Sequence, residues 1–94
     1  MTQSVWKYEL DNLGRPTHVA VPIGAELLDV QQQKGQWVMW ALVDPYAPPH
    51  EITIERFGTG FDIPDNLRPS ERRDHISTVQ EGPFVWHFFR RGHR

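Results

Sequence analysis

Asp44 and His87 are the residues whose types and positions could do chemistry. Asp44 ends the longest apolar run of the chain, residues 37–43, and Pro45 follows it directly. A carboxylate there could act as an acid or base, and a hydrolase would require His87 to meet it. The alternative is structural, because an aspartate before proline commonly caps backbone N–H groups of a turn. No partner acid stands at a fixed spacing from Asp44, and we therefore favour the turn.

The histidines do not indicate a metal site. His87 lies between Trp86 and Phe88, and in a strand its side chain would face away from both. This pattern is typical of a half-buried histidine that bonds one neighbour, and a role as base or ligand is the less favoured alternative. The other histidines form no His-x-His or His-x-x-x-His pair, and without cysteine there is no thiolate zinc site or disulfide. We expect no metal and no cofactor.

The segment Gly58-Thr59-Gly60 could bring backbone N–H groups close to a phosphate. A lone Gly-x-Gly is a weak signal, and this one lacks the lysine and the strand–glycine–helix context of known phosphate loops. We favour a strand end or bulge that glycine permits. The alternative is a small-ligand or nucleotide-binding site that uses aromatic stacking and nearby arginines. Its candidate residues are Gly58, Thr59, Gly60 and His87.

Strands must position these residues, because apolar and polar positions alternate along most of the chain. Residues 37–43 carry no charge and are rich in Trp and Val, which predicts a central strand covered on both faces. Further strands are predicted at 5–10, 17–22, 25–33, 51–57, 76–80 and 84–89. A helix at 25–33 is the rival to a strand, and one helical turn near 64–67 is allowed. The expected fold class is all-β, or β-rich α+β with at most one short helix. It would be a small antiparallel barrel or sandwich of about seven short strands.

Glycine, proline and charge predict the connections. The first two strands should form an antiparallel hairpin through a turn at 11–16, and Lys34-Gly35 should turn the third strand into the central one. Residues 61–74 are predicted to be a long loop, and residues 90–94 a basic frayed tail. The 94 residues form a single β-rich domain, 1–94, without an internal repeat.

Composition excludes several function classes. The formal net charge of −2 argues against a protein that binds nucleic acid over its whole surface, and we do not expect a nucleic-acid partner. No apolar run approaches the roughly 18 residues that a membrane span needs, and no signal peptide is visible. We expect a cytoplasmic protein with no membrane partner.

Aromatic and arginine side chains remain as candidates for binding. The chain holds 4 Trp and 5 Phe, and a core of this size absorbs one face of the central strand. The face of Trp37, Met39, Ala41 and Val43 then needs a cover: a second core layer, the long loop, a second subunit or a partner. Trp and Arg are the residue types enriched at binding hot spots. The candidate interaction residues are Trp37, Met39, Tyr46, Phe61, Arg72, Arg73, Arg90 and Arg91.

Several stretches, taken in order, match a known pattern. They are Trp6-Lys7-Tyr8, Trp40-Ala41-Leu42-Val43-Asp44-Pro45 followed by Ala47-Pro48, Gly58-Thr59-Gly60, Thr78-Val79-Gln80 and Val85-Trp86-His87-Phe88-Phe89. Together they resemble a family of short uncharacterised proteins encoded by bacteriophages and prophages. The resemblance covers nearly the whole chain and implies a phage source, but it brings no established activity.

Two positions depart from that family pattern. Many relatives have a histidine directly after Gly-Thr-Gly, where this chain has Phe61, so chemistry by such a histidine is not expected here. Relatives also tend to end soon after the last aromatic strand, which would make the tail at 90–94 a local addition.

These patterns favour a non-enzymatic binding protein over an enzyme. If phage-encoded, it would act in the host cytoplasm and modulate a host protein, such as a defence component. A homodimer is one arrangement that would cover the Trp37 face.

Overall fold

The computed structural model describes residues 2–11 and 16–93, and β-strands account for most of these ranges. In chain order the seven strands are β1 (Ser4–Glu9), β2 (Thr17–Pro22), β3 (Glu26–Gln33), β4 (Gln36–Val43), β5 (Pro49–Gly58), β6 (Glu71–Glu81) and β7 (Phe84–His93). Neither range contains a helix, and so none there could span a membrane. The prediction of an all-β fold is confirmed.

Both helical alternatives are wrong. Residues 26–33 form β3, and residues 64–67 have no regular secondary structure. A β-bulge between Leu27 and Asp29 shifts the register of β3 against β4. As a result Leu27 and Val30, three positions apart, both pack against the core. That spacing resembles the apolar face of a helix, which is why the sequence pattern left both structures open.

The strands form two antiparallel sheets that pack as a sandwich. The first sheet has the order β1-β4-β3 and the second the order β2-β5-β7-β6. The shortest extent of the molecule is 17 Å, as expected for two sheets roughly 10 Å apart.

The predicted hairpin between the first two strands is wrong. β1 pairs with β4 and β2 pairs with β5, so the two strands belong to different sheets. Residues 12–15 of the predicted turn lie outside the described residues. Alternation shows which side chains of a strand are buried, but it is the same for any partner strand. The pairing therefore could not follow from the pattern alone.

The core lies between the sheets and contains the face of β4 that seemed to need a separate cover. Trp37, Met39, Ala41 and Val43 are at most 2% exposed, and the Trp37 ring lies 4.9 Å from the ring of Phe88 on β7. The second sheet of the same chain is the cover. Trp37 and Met39 are therefore core residues in this chain and present no free surface to a partner.

The opposite face of β4 is only partly exposed, since Val38 on that face is 2% exposed. There Lys7 and Asp29 flank Trp40 on the neighbouring strands, and Trp40 and Leu42 are half-buried. Because both faces of β4 are apolar, only the polar neighbours on β1 and β3 distinguish the outer face from the inner one. That information depends on the strand pairing, which the sequence did not provide.

The hairpin between β3 and β4 is confirmed. Lys34 has a φ of 51° and Gly35 a φ of 80°, and two consecutive positive values are what a two-residue hairpin turn of the favoured type requires.

β6 and β7 are longer than predicted. β6 begins at Glu71 and β7 continues to His93, so the predicted loop over 71–74 and the frayed tail over 90–93 are wrong, while Arg94 lies outside the described residues. The charges that suggested loop and tail form pairs across the second sheet. Arg91 Nη2 lies 3.3 Å from Glu71 Oε1, and Arg73 Nε lies 2.7 Å from Glu55 Oε1.

Hydrogen bonds join the two sheets where β3 lies beside β6. Ser77 Oγ accepts a hydrogen bond of 2.9 Å from the Val30 N–H and donates one to the Asp29 carboxylate. Burial alone would raise the pKa of Asp29, but the hydrogen bonds from Ser77, Gln31 and the Val30 N–H outweigh it and lower that pKa.

Candidate functional site

An exposed cluster of aromatic side chains lies where β5 ends and β7 begins. We call Arg56, Phe61, Phe84 and Trp86 the aromatic cluster. Gly58 pairs with Trp86 across the two strands, and alternation places Arg56 and Phe84 on the same face as this pair. The turn after β5, closed by a 3.1 Å hydrogen bond from the Phe61 N–H to the Gly58 carbonyl, brings Phe61 to the cluster.

Two glycines shape that turn. A Cβ on Gly58 would lie 3.2 Å from the Phe61 ring and 3.3 Å from the Trp86 ring, so a larger residue would require these rings to shift by a few tenths of an ångström. Gly60 has a φ of +86°, which other residues rarely adopt. The segment Gly58-Thr59-Gly60 therefore ends a strand and lets the rings approach.

The members of the cluster contact one another closely. The Trp86 ring lies 6.3 Å from the Phe61 ring, edge to face, and 5.8 Å from the Phe84 ring, stacked. The Arg56 guanidinium lies 4.3 Å above the Trp86 ring, within the range of a cation–π interaction. These contacts hold the exposed rings in a defined arrangement.

Glu81 orients the indole of Trp86. Trp86 Nε1 donates a hydrogen bond of 2.9 Å to Glu81 Oε1, and the amide of Gln32 donates to the other carboxylate oxygen. Because Gln32 lies on β3, these bonds connect the cluster to the first sheet. The anchored indole leaves Phe61 and Phe84 as the outermost rings, 64% and 54% exposed. A groove of about 450 Å³ lies beside them.

This arrangement is suited to binding. Large rings held in place lose little conformational freedom when a partner covers them, and Trp and Arg are enriched at the centres of protein interfaces. Of the predicted interaction residues, only Phe61 belongs to the cluster.

Two members of the predicted ligand site do meet. Thr59 Oγ1 lies 2.7 Å from His87 Nε2, and His87 Nδ1 lies 3.0 Å from Thr78 Oγ1. Thr78 Oγ1 in turn lies 2.8 Å from His75 Nε2. These groups lie on the outer face of the second sheet, and His87 bonds two hydroxyl groups where the sequence predicted one neighbour.

The segment Gly58-Thr59-Gly60 offers few free N–H groups that could bind a phosphate. The Thr59 N–H donates to the Val85 carbonyl at 3.0 Å, and the Phe61 N–H is bonded within the turn. β5 ends at Gly58, so the interpretation of this segment as a strand end is confirmed.

Asp44 is a turn cap, as favoured from the sequence. Its Oδ1 accepts a hydrogen bond of 3.0 Å from the Tyr46 N–H, and its carbonyl accepts one of 3.1 Å from the Ala47 N–H. Asp44 follows the central strand of the first sheet, whereas His87 lies on the outer face of the second. In the described part of the chain, no hydrogen bond or ion pair joins them.

Arg73 and Arg91 hold the segment 61–70, which we call the long loop, against the second sheet. Arg73 donates hydrogen bonds of 3.0 Å to the Pro64 carbonyl and to Asn66 Oδ1. Arg91 donates one of 3.3 Å to the Asn66 carbonyl. Arg73 is also bonded to Glu55. The guanidinium groups of Arg73 and Arg91 therefore stabilise the fold. The sequence analysis overlooked Glu55 on β5, which lies two strands away from Arg73 in the sheet order β2-β5-β7-β6.

A carboxylate at the start of β6 completes this network. The Arg68 N–H and then the Arg91 guanidinium donate hydrogen bonds to Glu71, and together they lower the pKa of Glu71.

The remaining candidates lie apart from the cluster. Arg72 forms an exposed pair with Asp74, at 3.1 Å. Arg90 lies opposite Asp74 on the inner side of the second sheet and lines a groove with Leu27. Tyr46 is 86% exposed in the turn after β4. Among the described residues, no three His, Asp or Glu side chains could hold a metal ion.

The sequence analysis did not select Arg56, Phe84, Trp86 or Glu81. Alternation could have found the first three. In the strand predicted at 51–57, the apolar Ile52 and Ile54 alternate with polar residues and indicate the inward face, and the same alternation carried two residues further predicts Arg56 on that face. An arginine at an inward position near a strand end is a usable signal.

Comparison with known proteins places the chain in relation to one uncharacterised group. The model of a family described as a domain of unknown function, DUF7352, matches residues 1–94. No curated protein and no solved structure matches the chain.

Proposed function

Because the chain belongs to the DUF7352 family of domains of unknown function, we propose a function from its structure: it is a non-enzymatic protein that binds another protein through the aromatic cluster. The observation that carries this proposal is the contiguous exposure of Phe61 and Phe84 around an anchored Trp86. Contiguous exposed apolar surface of this kind is characteristic of interaction sites, whereas single exposed apolar residues are ordinary.

The chemistry of the cluster limits what the partner can present. Phe61 and Phe84 would pack against apolar side chains, as the buried centre of an interface does. Arg56 adds a fixed cation beside the rings, and a guanidinium favours a carboxylate as its partner. The expected contact surface is therefore an apolar patch bordered by at least one acidic residue.

The partner that we propose is a host protein, such as a defence component, met in the cytoplasm of a bacterial cell. This part rests on the resemblance to proteins encoded by bacteriophages and prophages. Two of the stretches that carry the resemblance, Gly58-Thr59-Gly60 and Val85–Phe89, supply or position members of the cluster.

Retention of a host protein by the immobilised chain tests the proposal. The double variant Phe61→Ala/Phe84→Ala should lose the retained protein, because truncating two central aromatic anchors weakens binding by roughly 30-fold or more. Both side chains are more than half exposed, so the fold should survive. Retained proteins are identified by mass spectrometry, and the affinity of the purified pair is then measured by calorimetry.

The matched control is Tyr46→Ala, which removes an aromatic ring that is 86% exposed and lies outside the cluster. It should bind like the unchanged chain. The proposal fails if no host protein is retained, or if the double variant and the control bind equally well.

A small-ligand or nucleotide-binding protein is the second candidate. It is favoured by the contact between Thr59 and His87, two residues that the sequence assigned to the same site. A nucleotide panel in a thermal shift assay tests it, since a ligand at 100 times its Kd stabilises the native state by about 2.7 kcal/mol. An unchanged unfolding midpoint with every nucleotide at millimolar concentration would exclude it.

A further inference from the structure

β1 has a backbone edge that is open to another strand. It is hydrogen bonded to β4 alone among the described strands. The 2.9 Å bond from the Leu10 N–H to the Trp37 carbonyl sets the phase of the ladder. In that phase every second residue, counting back from Leu10, bonds β4. The N–H and C=O groups of Val5, Lys7 and Glu9 therefore point away from β4, towards the open side.

The other outer strands are less suited to pairing. β3 and β6 lie side by side and are joined through the Ser77 hydroxyl. β2 ends at Pro22, which has no N–H to donate. Among the strands of the described ranges, β1 alone combines an unpaired ladder with exposed apolar residues on both faces, Val5 at 55% and Trp6 at 39%.

The charges of β1 complement those of a second copy. An antiparallel pair of identical strands has a two-fold axis, so each residue faces one fixed residue of the copy. Centred on Tyr8, the pairing places Lys7 opposite Glu9 of the copy and Glu9 opposite its Lys7. Centred on Lys7 it would oppose two lysines, which is unfavourable. Centred on Trp6 it would form no charge pair.

We propose that a second copy of this chain pairs antiparallel with β1 in the register centred on Tyr8. The two three-stranded sheets then become one continuous sheet of six strands. Lys7 of each chain would exchange backbone hydrogen bonds with Glu9 of the other, Trp6 would lie opposite Leu10 of the copy, and Val5 would lie opposite its Asp11. This inference does not rest on the proposed function, because the aromatic cluster belongs to the other sheet.

Reversal and exchange of charge test the register. Lys7→Glu and Glu9→Lys each oppose like charges in both symmetric pairs, and each should raise the dimer dissociation constant roughly 10-fold at low salt. The double variant Lys7→Glu/Glu9→Lys restores opposite charges and should return the constant to within about 3-fold of the original. Sedimentation over a range of protein concentrations measures all four chains.

Lys34→Glu is the matched control, because it makes the same change of net charge at an exposed turn. It should dimerise like the unchanged chain, and so should Phe61→Ala/Phe84→Ala. An unchanged chain that stays monomeric at every concentration overturns the proposal. A double exchange that fails to restore the dimer overturns the register.

The absence of cysteine permits an independent test. Tyr8 would face Tyr8 of the copy at a non-hydrogen-bonded position, where the two Cα atoms lie roughly 4.5 Å apart. Mild oxidation should therefore crosslink Tyr8→Cys and leave Trp6→Cys monomeric under denaturing electrophoresis. Crosslinking of Trp6→Cys instead would overturn the register centred on Tyr8. Circular dichroism confirms that each variant is folded before oxidation.

Discussion

At the scale of single residues, the hydroxyl of Ser77 connects the two sheets. It is the acceptor for the Val30 N–H and a donor to Asp29, and Ser77 itself is buried. Ser77→Ala would remove both hydrogen bonds and leave Asp29 Oδ1, 2.9 Å from the Val30 nitrogen, as the remaining partner of that N–H group. We expect the free energy of unfolding to fall by about 1–2 kcal/mol, measured by urea denaturation. Ser70→Ala, at an exposed position in the long loop, should change it by less than about 0.5 kcal/mol. Equal losses in the two variants would contradict this role.

Asp29 should make part of the stability depend on pH. The pKa of Asp29 in the folded chain lies below the ordinary value of 3.8. The ionised carboxylate therefore makes its full contribution to stability at pH values above 3.8. The contribution is lost as the pH falls through the lower folded pKa. Asp29→Asn should therefore unfold more easily than the unchanged chain at about pH 6, and the difference should shrink below about pH 4. Urea denaturation at a series of pH values measures this, and a difference that stays constant with pH would contradict the prediction.

At the scale of structural elements, Arg73 fastens the long loop to the second sheet. Its side chain is 11% exposed and that of its partner Glu55 is 8% exposed. Arg73→Ala removes both of its contacts to the loop and leaves Arg91, whose Nη1 lies 3.8 Å from Glu55 Oε2, as the remaining cation beside the buried Glu55 carboxylate. We expect a loss of about 1–3 kcal/mol in stability and faster amide hydrogen exchange in residues 61–70.

Arg72→Ala is the natural control for that variant. It removes a neighbouring arginine of the same strand whose pair with Asp74 is exposed, and such pairs contribute about 0–1 kcal/mol. Exchange in the long loop should then stay at its original rate. If Arg72→Ala and Arg73→Ala accelerate it equally, the loop is held by something other than Arg73.

The sequence predicted what depends on neighbouring residues and missed what depends on distant ones. Asp44 caps a turn two residues away, and the Lys34-Gly35 turn joins adjacent strands, so local turn chemistry was enough for both. Ser77 bonds Val30 across 47 positions of the chain, and no periodicity connects the two. The helix-like spacing in β3 came from a bulge, which becomes visible only against its partner strand.

At the scale of the whole molecule, the sequence did not show which strands pair, and so it did not show which face of the central strand β4 lies in the core. Two apolar faces predicted that something must cover Trp37, and the second sheet does. The candidate site was only partly predictable for a related reason. Phe61 was selected as an aromatic residue in a long connection, but Trp86 and Arg56 gain their meaning from the pairing of β5 with β7. Which aromatic and arginine side chains are exposed therefore depends on the order of the strands in the two sheets.

The four tryptophans occupy four different environments, and this has a consequence for spectroscopy. Trp37 is sealed in the core, Trp86 lies in the aromatic cluster, Trp6 borders the open edge of β1, and Trp40 is half-buried on the outer face of the first sheet. Indole emission moves to longer wavelength when water reaches the ring. Chains that retain one tryptophan each would therefore report unfolding, partner binding and self-association as separate optical signals, without an added label.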